Sequence, residues 1–168
     1  MYIKCETIKG AQRQKEFENA LLSLMKCMPY KDITIVALCK EVGVQRKSFY
    51  RYFEEVDDIM CALLDEILIE AFLLIEVKPE MEKFFAFWKN QSELLDLLDK
   101  HNLSHMLLNR AYEKCFHNNE YKTMTERELR YISYTASYIS LVLAWHKGGM
   151  RQSVKNVAKI LKDMYGID

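Results

Sequence analysis

The chain has 168 residues, of which 50% are hydrophobic and 29% charged, with only 5 glycines and 2 prolines, a composition typical of an all-α globular protein. No apolar run reaches the length of a membrane-spanning helix and no N-terminal signal is recognisable, so the sequence predicts a soluble, cytoplasmic protein without a membrane partner. The 5 cysteines include no CxxC pair, which argues against a disulfide framework and for a reducing compartment.

The formal net charge is zero, but the charges are unevenly distributed along the chain. Residues 1–53 hold 10 Lys and Arg against 5 Asp and Glu, whereas residues 54–100 hold 4 against 13. Residues 101–168 again hold an excess of basic residues, 10 against 6. The basic N-terminal third favours the approach of a polyanion in one orientation.

Helical periodicity dominates the whole chain, and no convincing alternating strand pattern occurs. A first helix is predicted over residues 8–28, where Phe17 and Leu21 share one face and Pro29 ends the helix. Two short helices are predicted at about 35–42 and 46–52. The remaining helices are predicted at about 56–77, 80–89, 91–100, 102–117, 125–147 and 151–165.

Local signals mark several of these helix ends. Asn90 and Glu93 have the spacing of a capping box, and Thr125 with Glu128 forms a standard one at the start of the 125–147 helix. The Gly148-Gly149 pair is expected to break that helix before the last one begins.

The two short helices in the first third of the chain have the features of a helix-turn-helix. Thr34 is a strong N-cap for the first of them, and Gly43 can adopt the positive φ of a helix C-cap. Val44, Phe49 and Phe53 are expected to anchor the second helix in a small core, which leaves its polar residues exposed. In a helix-turn-helix the second helix enters the DNA major groove.

The polar residues of this motif suit contacts with DNA. Arginine and lysine can bind the acceptor edge of guanine or neutralise phosphates, while tyrosine and serine hydroxyls suit phosphate oxygens. A basic helix that is only a solvated face is the alternative interpretation. The candidate DNA-binding residues are Thr34, Gln45, Arg46, Lys47, Ser48, Tyr50, Arg51 and Tyr52.

The motif resembles the tetracycline-repressor (TetR/AcrR) family of bacterial transcription regulators. The resemblance rests on Thr34, Gly43-Val44 and Phe49-Tyr50-x-Tyr52-Phe53, followed by acidic residues and Ile59. The resemblance is close over about the first 60 residues. The remainder is similar only in being helical, with a Trp145-x-x-Gly148-Gly149-Met150 segment that looks like one variety of the family's C-terminal domain.

The resemblance implies a role for each candidate residue. It implies a phosphate contact for Thr34, base-edge contacts for Arg46, Lys47 and Ser48, backbone contacts for Tyr50 and Tyr52, and either role for Arg51. Two positions depart from the family pattern. Val56 stands where the family usually has a phosphate-contacting lysine, and Gln45 replaces the usual serine-type cap while offering an amide that could reach DNA.

The helix predicted at 125–147 has two apolar faces, which requires two packing partners. One face is a seam of residues at 3,4 spacing, namely Leu129, Ile132, Ala136, Ile139 and Leu143. The other face is mainly aromatic and consists of Tyr131, Tyr134, Tyr138, Val142 and Trp145. The last helix could complete an intersubunit four-helix bundle, although burial of both faces within one chain is the alternative. The candidate dimerisation residues are Leu129, Ile132, Ala136, Ile139, Leu143, Val157, Ile160 and Leu161.

Other chemistry finds little support in the sequence. No phosphate-binding glycine loop, nucleophile elbow or Cys/His pair indicates catalysis, so we expect no enzyme, no catalytic residue and no cofactor. His101, His105, Cys115 and His117 lack the compact spacing of known zinc motifs, and no metal site is predicted.

The sequence therefore predicts an all-α protein with a three-helix helix-turn-helix DNA-binding domain over residues 1–55. Residues 56–168 are expected to form a helical dimerisation and ligand-sensing domain. The predicted function is a homodimeric transcription regulator of the repressor type, which binds a pseudo-palindromic double-stranded DNA operator and responds to a small-molecule effector of unknown identity. A regulator that acts through a protein partner is the alternative, and an enzyme is a more distant one.

Overall fold

The computed structural model describes residue 2 and residues 7–76, 80–115 and 125–166 of the chain, and these residues form helices and turns without any strand. The predicted all-α class is thereby confirmed. The chain divides into two compact units, Met1–Glu66 and Ile67–Asp168. The helices are α1 (Ile8–Cys27), α2 (Ile35–Val42), α3 (Arg46–Phe49), α4 (Val56–Glu76), α5 (Met81–Asn90), α6 (Ser92–Lys100), α7 (Ser104–Cys115), α8 (Glu126–Lys147) and α9 (Val154–Tyr165).

Three phenylalanine rings form the centre of the first unit. Phe17 of α1 contacts Phe49 and Phe53 edge-on, with ring centroids 5.4 and 5.9 Å apart, and all three side chains are at most 1% exposed. Aromatic pairs in this geometry are stabilised beyond the area that they bury. The expected anchoring of the second motif helix by Phe49 and Phe53 is confirmed, whereas Val44 is only half-buried.

Both ends of α2 are fixed by the residues that the sequence indicates. The Thr34 hydroxyl accepts a hydrogen bond from the Ala37 amide at 3.2 Å, as an N-cap should. Gly43 lies in the left-handed region with φ +73°, and the Val44 amide donates to the Cys39 carbonyl at 2.9 Å. This arrangement is a Schellman C-cap, and it turns the chain sharply from α2 toward α3.

Polar contacts, one of them over a long sequence distance, hold the start of α4 in the first unit. The Tyr30 hydroxyl, in a single 3₁₀ turn over Tyr30–Asp32, donates to Asp57 at 2.7 Å. Asp58 is buried and accepts from the Glu54 and Glu55 amides at 2.8 and 3.4 Å. Asp58 therefore satisfies backbone donors ahead of α4, in addition to the favourable interaction of a carboxylate with the N-terminus of a helix.

The second unit packs around aromatic side chains of α5. Phe84 and Phe85 are fully buried and contact Tyr138 and Trp145 of α8, each pair with ring centroids 5.8 Å apart. Trp88, one turn further along α5, is also fully buried. Part of the predicted aromatic face of α8 is therefore packed within the unit.

Where both are described, the predicted and observed helix bounds differ by at most three residues, and two of the differences have a local cause. The second motif helix ends at Phe49 instead of residue 52, because the amides of Tyr52 and Phe53 both donate to the Phe49 carbonyl and close a turn. The predicted Asn90 capping box is wrong, since Asn90 is the last residue of α5 and Gln91 alone separates α5 from α6. The ends predicted at residues 77 and 117 lie outside the described residues.

A buried carboxylate lies between α1 and α4 in the first unit. Glu18 is 5% exposed, and the Lys15 ammonium lies 3.0 Å from it and 2.7 Å from Glu66. Burial raises the pKa of Glu18 above its ordinary value of about 4.5, and the Lys15 ammonium opposes this rise. The folded protein therefore holds the Glu18 proton to a higher pH than the unfolded chain does.

We expect Gly43→Ala to lower the free energy of unfolding by about 1–2 kcal/mol, the usual cost of a left-handed conformation for an L-residue. No described atom lies within 4 Å of the Cβ that alanine would add, so the cost comes from the backbone alone. Urea denaturation followed by circular dichroism measures it. Gly43→Asn is the matched control and should cost less, because asparagine tolerates this region. Equal stability of wild type and Gly43→Ala would contradict the assigned cap.

We expect wild type to gain stability relative to Glu18→Gln as the pH falls from 7 toward 4.5. A carboxyl group whose folded pKa is raised stabilises the fold below its unfolded pKa, and this contribution is lost as the pH rises through the folded pKa. Urea denaturation of both proteins at several pH values gives the difference in unfolding free energy. A difference that is constant over this range, or that grows with rising pH, would contradict the raised pKa.

Candidate nucleic-acid interface

The candidate interface is the solvent side of α2, the Gly43 turn and α3. Burial of Phe49 fixes which side of α3 faces the core, and the polar residues lie around the rest of its surface. The side chains of Thr34, Gln45, Arg46, Lys47, Tyr50 and Arg51 are exposed, whereas Ser48 and Tyr52 are half-buried. The predicted residues therefore lie on one short stretch of surface, and Ser48 and Tyr52 are less accessible than the others.

Two of the predicted residues contact each other. The Arg46 guanidinium Nη2 donates a hydrogen bond to the Tyr50 hydroxyl at 3.3 Å, across one turn of the chain. The Tyr50 ring packs edge-on against Phe49, with centroids 5.5 Å apart and planes at 89°. Tyr50 is nevertheless 51% exposed, so this pair lies at the surface.

The two capping positions of the motif differ. The Thr34 oxygen is occupied by the Ala37 amide, but its hydroxyl proton remains a donor on an exposed side chain. Gln45 occupies the N-cap position of α3, and in the described part of the chain its side chain makes no capping hydrogen bond. Gln45 therefore caps α3 more weakly than a serine would, and the amide group of Gln45 is exposed.

Cys39 lies inside this motif. Its side chain is 4% exposed, and burial raises the pKa of the thiol, with a smaller opposing effect of the nearby Arg46 charge. A thiol with a raised pKa stays protonated at neutral pH and is a poor nucleophile. Cys39 is therefore a packing residue on the buried side of α2.

Sequence reasoning did not single out Val36 and Lys40. Both are exposed, Val36 by 57%, and they lie one turn apart on the side of α2 opposite the buried Leu38. The helical spacing alone could have located them, because residues two before and two after a buried position fall on the far side of a helix. They extend the exposed surface of the motif along α2.

A second surface feature of the first unit is unsuited to a polyanion. Glu16, Asn19, Ser23 and Glu41 line an open cleft of about 410 Å³ between α1 and α2. The Ser23 hydroxyl donates to Glu41 at 3.5 Å, and Arg13 pairs with Glu16. The two carboxylates in this cleft would repel phosphates.

The structure divides the predicted dimerisation residues into two groups. Ile139, Val157 and Leu161 are at most 2% exposed within a single chain, so they belong to the core of the second unit and not to an open seam. Leu129 and Ile160 are 53% and 45% exposed. Of the others, Ala136 is exposed, and Ile132 and Leu143 are half-buried.

Helices α8 and α9 are in side-chain contact at two places, although α9 packs mainly on α5 and α8 mainly on α7. Tyr134 and Tyr138 contact Tyr165 near the end of α9, with centroids 4.7 and 6.0 Å apart. At the other end, the Trp145 indole donates to the Gln152 carbonyl at 3.1 Å, just before α9 begins. Both helices also contact α5, so α8 and α9 do not form a closely packed helical hairpin.

Within the described ranges, no three His, Cys, Asp or Glu side chains lie close enough together to hold a metal ion. His105 contacts the Asn102 carbonyl at 3.0 Å. His117 and the side chain of Cys115 lie outside the described residues. No helix in the described ranges is long and apolar enough to cross a membrane.

Comparison with known proteins shows a similar fold. A solved structure of the fatty acid degradation regulator FadR from Bacillus halodurans matches 94% of this chain and 96% of its own chain, with a TM-score of 0.50 and 15% sequence identity. No protein-family model matches the sequence, and no curated protein does. The similarity to FadR shows a common all-helical fold over nearly the whole length of both chains.

Proposed function

We propose that the protein binds double-stranded DNA through α2, the Gly43 turn and α3, and that it regulates transcription. The observation that carries this proposal is the motif itself. A capped helix leads through a left-handed glycine into a short helix that the buried Phe49 anchors, with Arg46 and Lys47 exposed on its other side. That is the arrangement in which helix-turn-helix proteins place basic side chains in the major groove. The similarity in fold to a protein described as a regulator supports the proposal.

Five exposed residues of the motif have a role in this proposal. Arg46 and Lys47, at the start of α3, contact base edges, where an arginine binds the two acceptors of guanine best. Thr34 donates its hydroxyl proton to a phosphate, and Arg51 neutralises another. The exposed Val36 offers methyl groups that suit thymine or sugar contacts. The excess of basic residues over 1–53 favours this end of the chain for the approach to DNA.

We further propose that the regulator is a homodimer held by α8 and α9. Exposed apolar side chains on both helices, Leu129, Ile160 and the 65% exposed Met164, would be covered in an intersubunit four-helix bundle. One short recognition helix contacts only a few base pairs. Two recognition helices in a dimer read two half-sites and so give a higher ratio of specific to non-specific affinity. A two-fold dimer favours a pseudo-palindromic operator. In this proposal the dimer represses transcription by occupying the operator, and a small-molecule effector relieves the repression.

The DNA-binding proposal is tested on duplexes selected from a random-sequence pool by repeated binding to the wild-type protein. Arg46→Ala should cost about 1–3 kcal/mol of binding free energy and relax the preference at one base position of each half-site. Thr34→Ala should weaken binding evenly across sequences, as the loss of a phosphate contact does. Fluorescence anisotropy at several salt concentrations measures both effects.

Lys89→Ala is the matched control for this experiment, because it removes one positive charge from an exposed residue of α5 in the second unit. It should leave affinity and sequence preference close to wild type. If Arg46→Ala and Lys47→Ala also leave both unchanged, α3 does not read the sequence. Wild-type binding without salt dependence would remove the DNA proposal itself and favour a regulator that acts through a protein partner.

The dimer proposal predicts that Leu129→Glu combined with Ile160→Glu yields a folded monomer with much weaker DNA binding. Both side chains are about half exposed, so each glutamate should leave the folded chain intact while placing charge in the proposed seam. Ile139→Glu is unsuitable, because Ile139 is fully buried in one chain and the charge would unfold it. Sedimentation velocity at micromolar concentration measures the oligomeric state.

Leu73→Glu is the matched control for the dimer, since Leu73 is a 61% exposed leucine of α4. This variant should sediment like wild type. A double variant that remains dimeric would show that α8 and α9 do not form the interface. A wild-type monomer that binds one half-site at undiminished affinity would remove the dimer from the proposal.

A further inference from the structure

We propose that Tyr50 is a positioning residue that holds the Arg46 guanidinium in the orientation in which it meets a base edge. This inference rests on the proposed DNA binding and deepens it. It differs from the role that the family resemblance implies for Tyr50, which is a contact with the DNA backbone.

The first observation is the contact between the two side chains. Arg46 Nη2 donates to the Tyr50 hydroxyl at 3.3 Å, and the two residues are four apart, the spacing at which side chains on a helix meet. An exposed arginine otherwise samples many rotamers. A hydrogen bond at one end of the guanidinium restricts both its position and the direction of its plane.

The second observation is that Tyr50 is itself held by the core. Its ring packs edge-on against Phe49 at 5.5 Å, and Phe49 is fully buried. Phe49 in turn contacts Phe17 of α1 at 5.4 Å. A continuous series of contacts therefore runs from the centre of the first unit, through two aromatic rings, to a guanidinium at the surface.

The chemistry of base recognition makes this orientation matter. A guanidinium binds guanine through two parallel N–H groups in its own plane, so a small rotation removes one of the two bonds. A side chain already held in place loses less conformational entropy on binding. The Tyr50 hydroxyl should therefore affect sequence preference at the base that Arg46 contacts, whereas a phosphate contact would affect all sequences alike.

The test is a double-mutant cycle on the selected duplex and on duplexes substituted at each position. Tyr50→Phe keeps the ring against Phe49 and removes only the hydroxyl. It should lower affinity for the selected duplex about three- to tenfold, the usual contribution of one hydrogen bond, and flatten preference at the position that Arg46→Ala also flattens. In the Arg46→Ala background, Tyr50→Phe should then have no further effect.

Tyr52→Phe is the matched control, because it removes a hydroxyl two residues away on a half-buried side chain. Any loss that it causes should be equal with Arg46 present or absent. A Tyr50→Phe loss that persists in the Arg46→Ala background and is even across sequences would overturn the inference and assign Tyr50 to the DNA backbone. The absence of any loss would overturn it as well.

A measurement without DNA separates this inference from the proposed function. NMR relaxation of the Arg46 Nε–Hε group should show greater mobility in Tyr50→Phe than in wild type or Tyr52→Phe. Equal mobility in all three proteins would overturn the positioning role. If wild type shows no salt-dependent DNA binding, the proposed function fails and the proposed role in base reading fails with it, even where the mobility difference is present.

Discussion

The contact of Phe17 with Phe49 and Phe53 is the interaction on which the DNA-binding motif depends. Helix α3 contains four residues, and a helix of that length is not stable by its own hydrogen bonds. Its position comes from burial of Phe49 against α1, and the following turn is held by burial of Phe53. The exposed surface of the motif is therefore only as well defined as the three rings beneath it.

The start of α4 is fixed in a different way, by polar contacts and not by rings alone. Tyr30 reaches Asp57, Asp58 binds two amides ahead of the helix, and Lys15 joins Glu66 to α1. Hydrogen bonds to ionised groups are directional and stronger than neutral ones. Of these contacts, the Lys15–Glu66 pair joins α4 to α1, and both side chains are about half exposed, so its contribution to the orientation of α4 is small.

Local signals in the sequence predicted the local structure well. Thr34 acts through its hydroxyl and Gly43 through its backbone, each with a partner within five residues, so the bounds Ile35–Val42 follow from them directly. The capping box expected at Asn90 failed because the tertiary packing of Phe84, Phe85 and Trp88 continues α5 through that residue. The pairing of Tyr30 with Asp57 joins residues 27 apart, which no periodicity can indicate.

The apolar faces of α8 show a similar limit. Apolar residues at 3,4 spacing indicate that one side of a helix is apolar. They do not indicate whether that side is buried within the same chain or against a second chain. Ile139 was placed on the open seam by its spacing, yet it is fully buried, while Leu129 of the same row is half exposed. The covered arc of the helix follows the aromatic face, where Tyr138, Val142 and Trp145 are buried, and takes in Ile139 from the edge of the seam.

The shortness of α3 has a consequence for local opening of the structure. Few of its amides have helical partners of their own, and the bonds of the following turn converge on the Phe49 carbonyl. If the amides of this turn break their hydrogen bonds and become exposed to solvent, the Phe49 ring must also move away from α1. In hydrogen exchange, α3 and the turn of α1 around Phe17 should therefore open together, with one shared opening free energy, as a single cooperative folding unit.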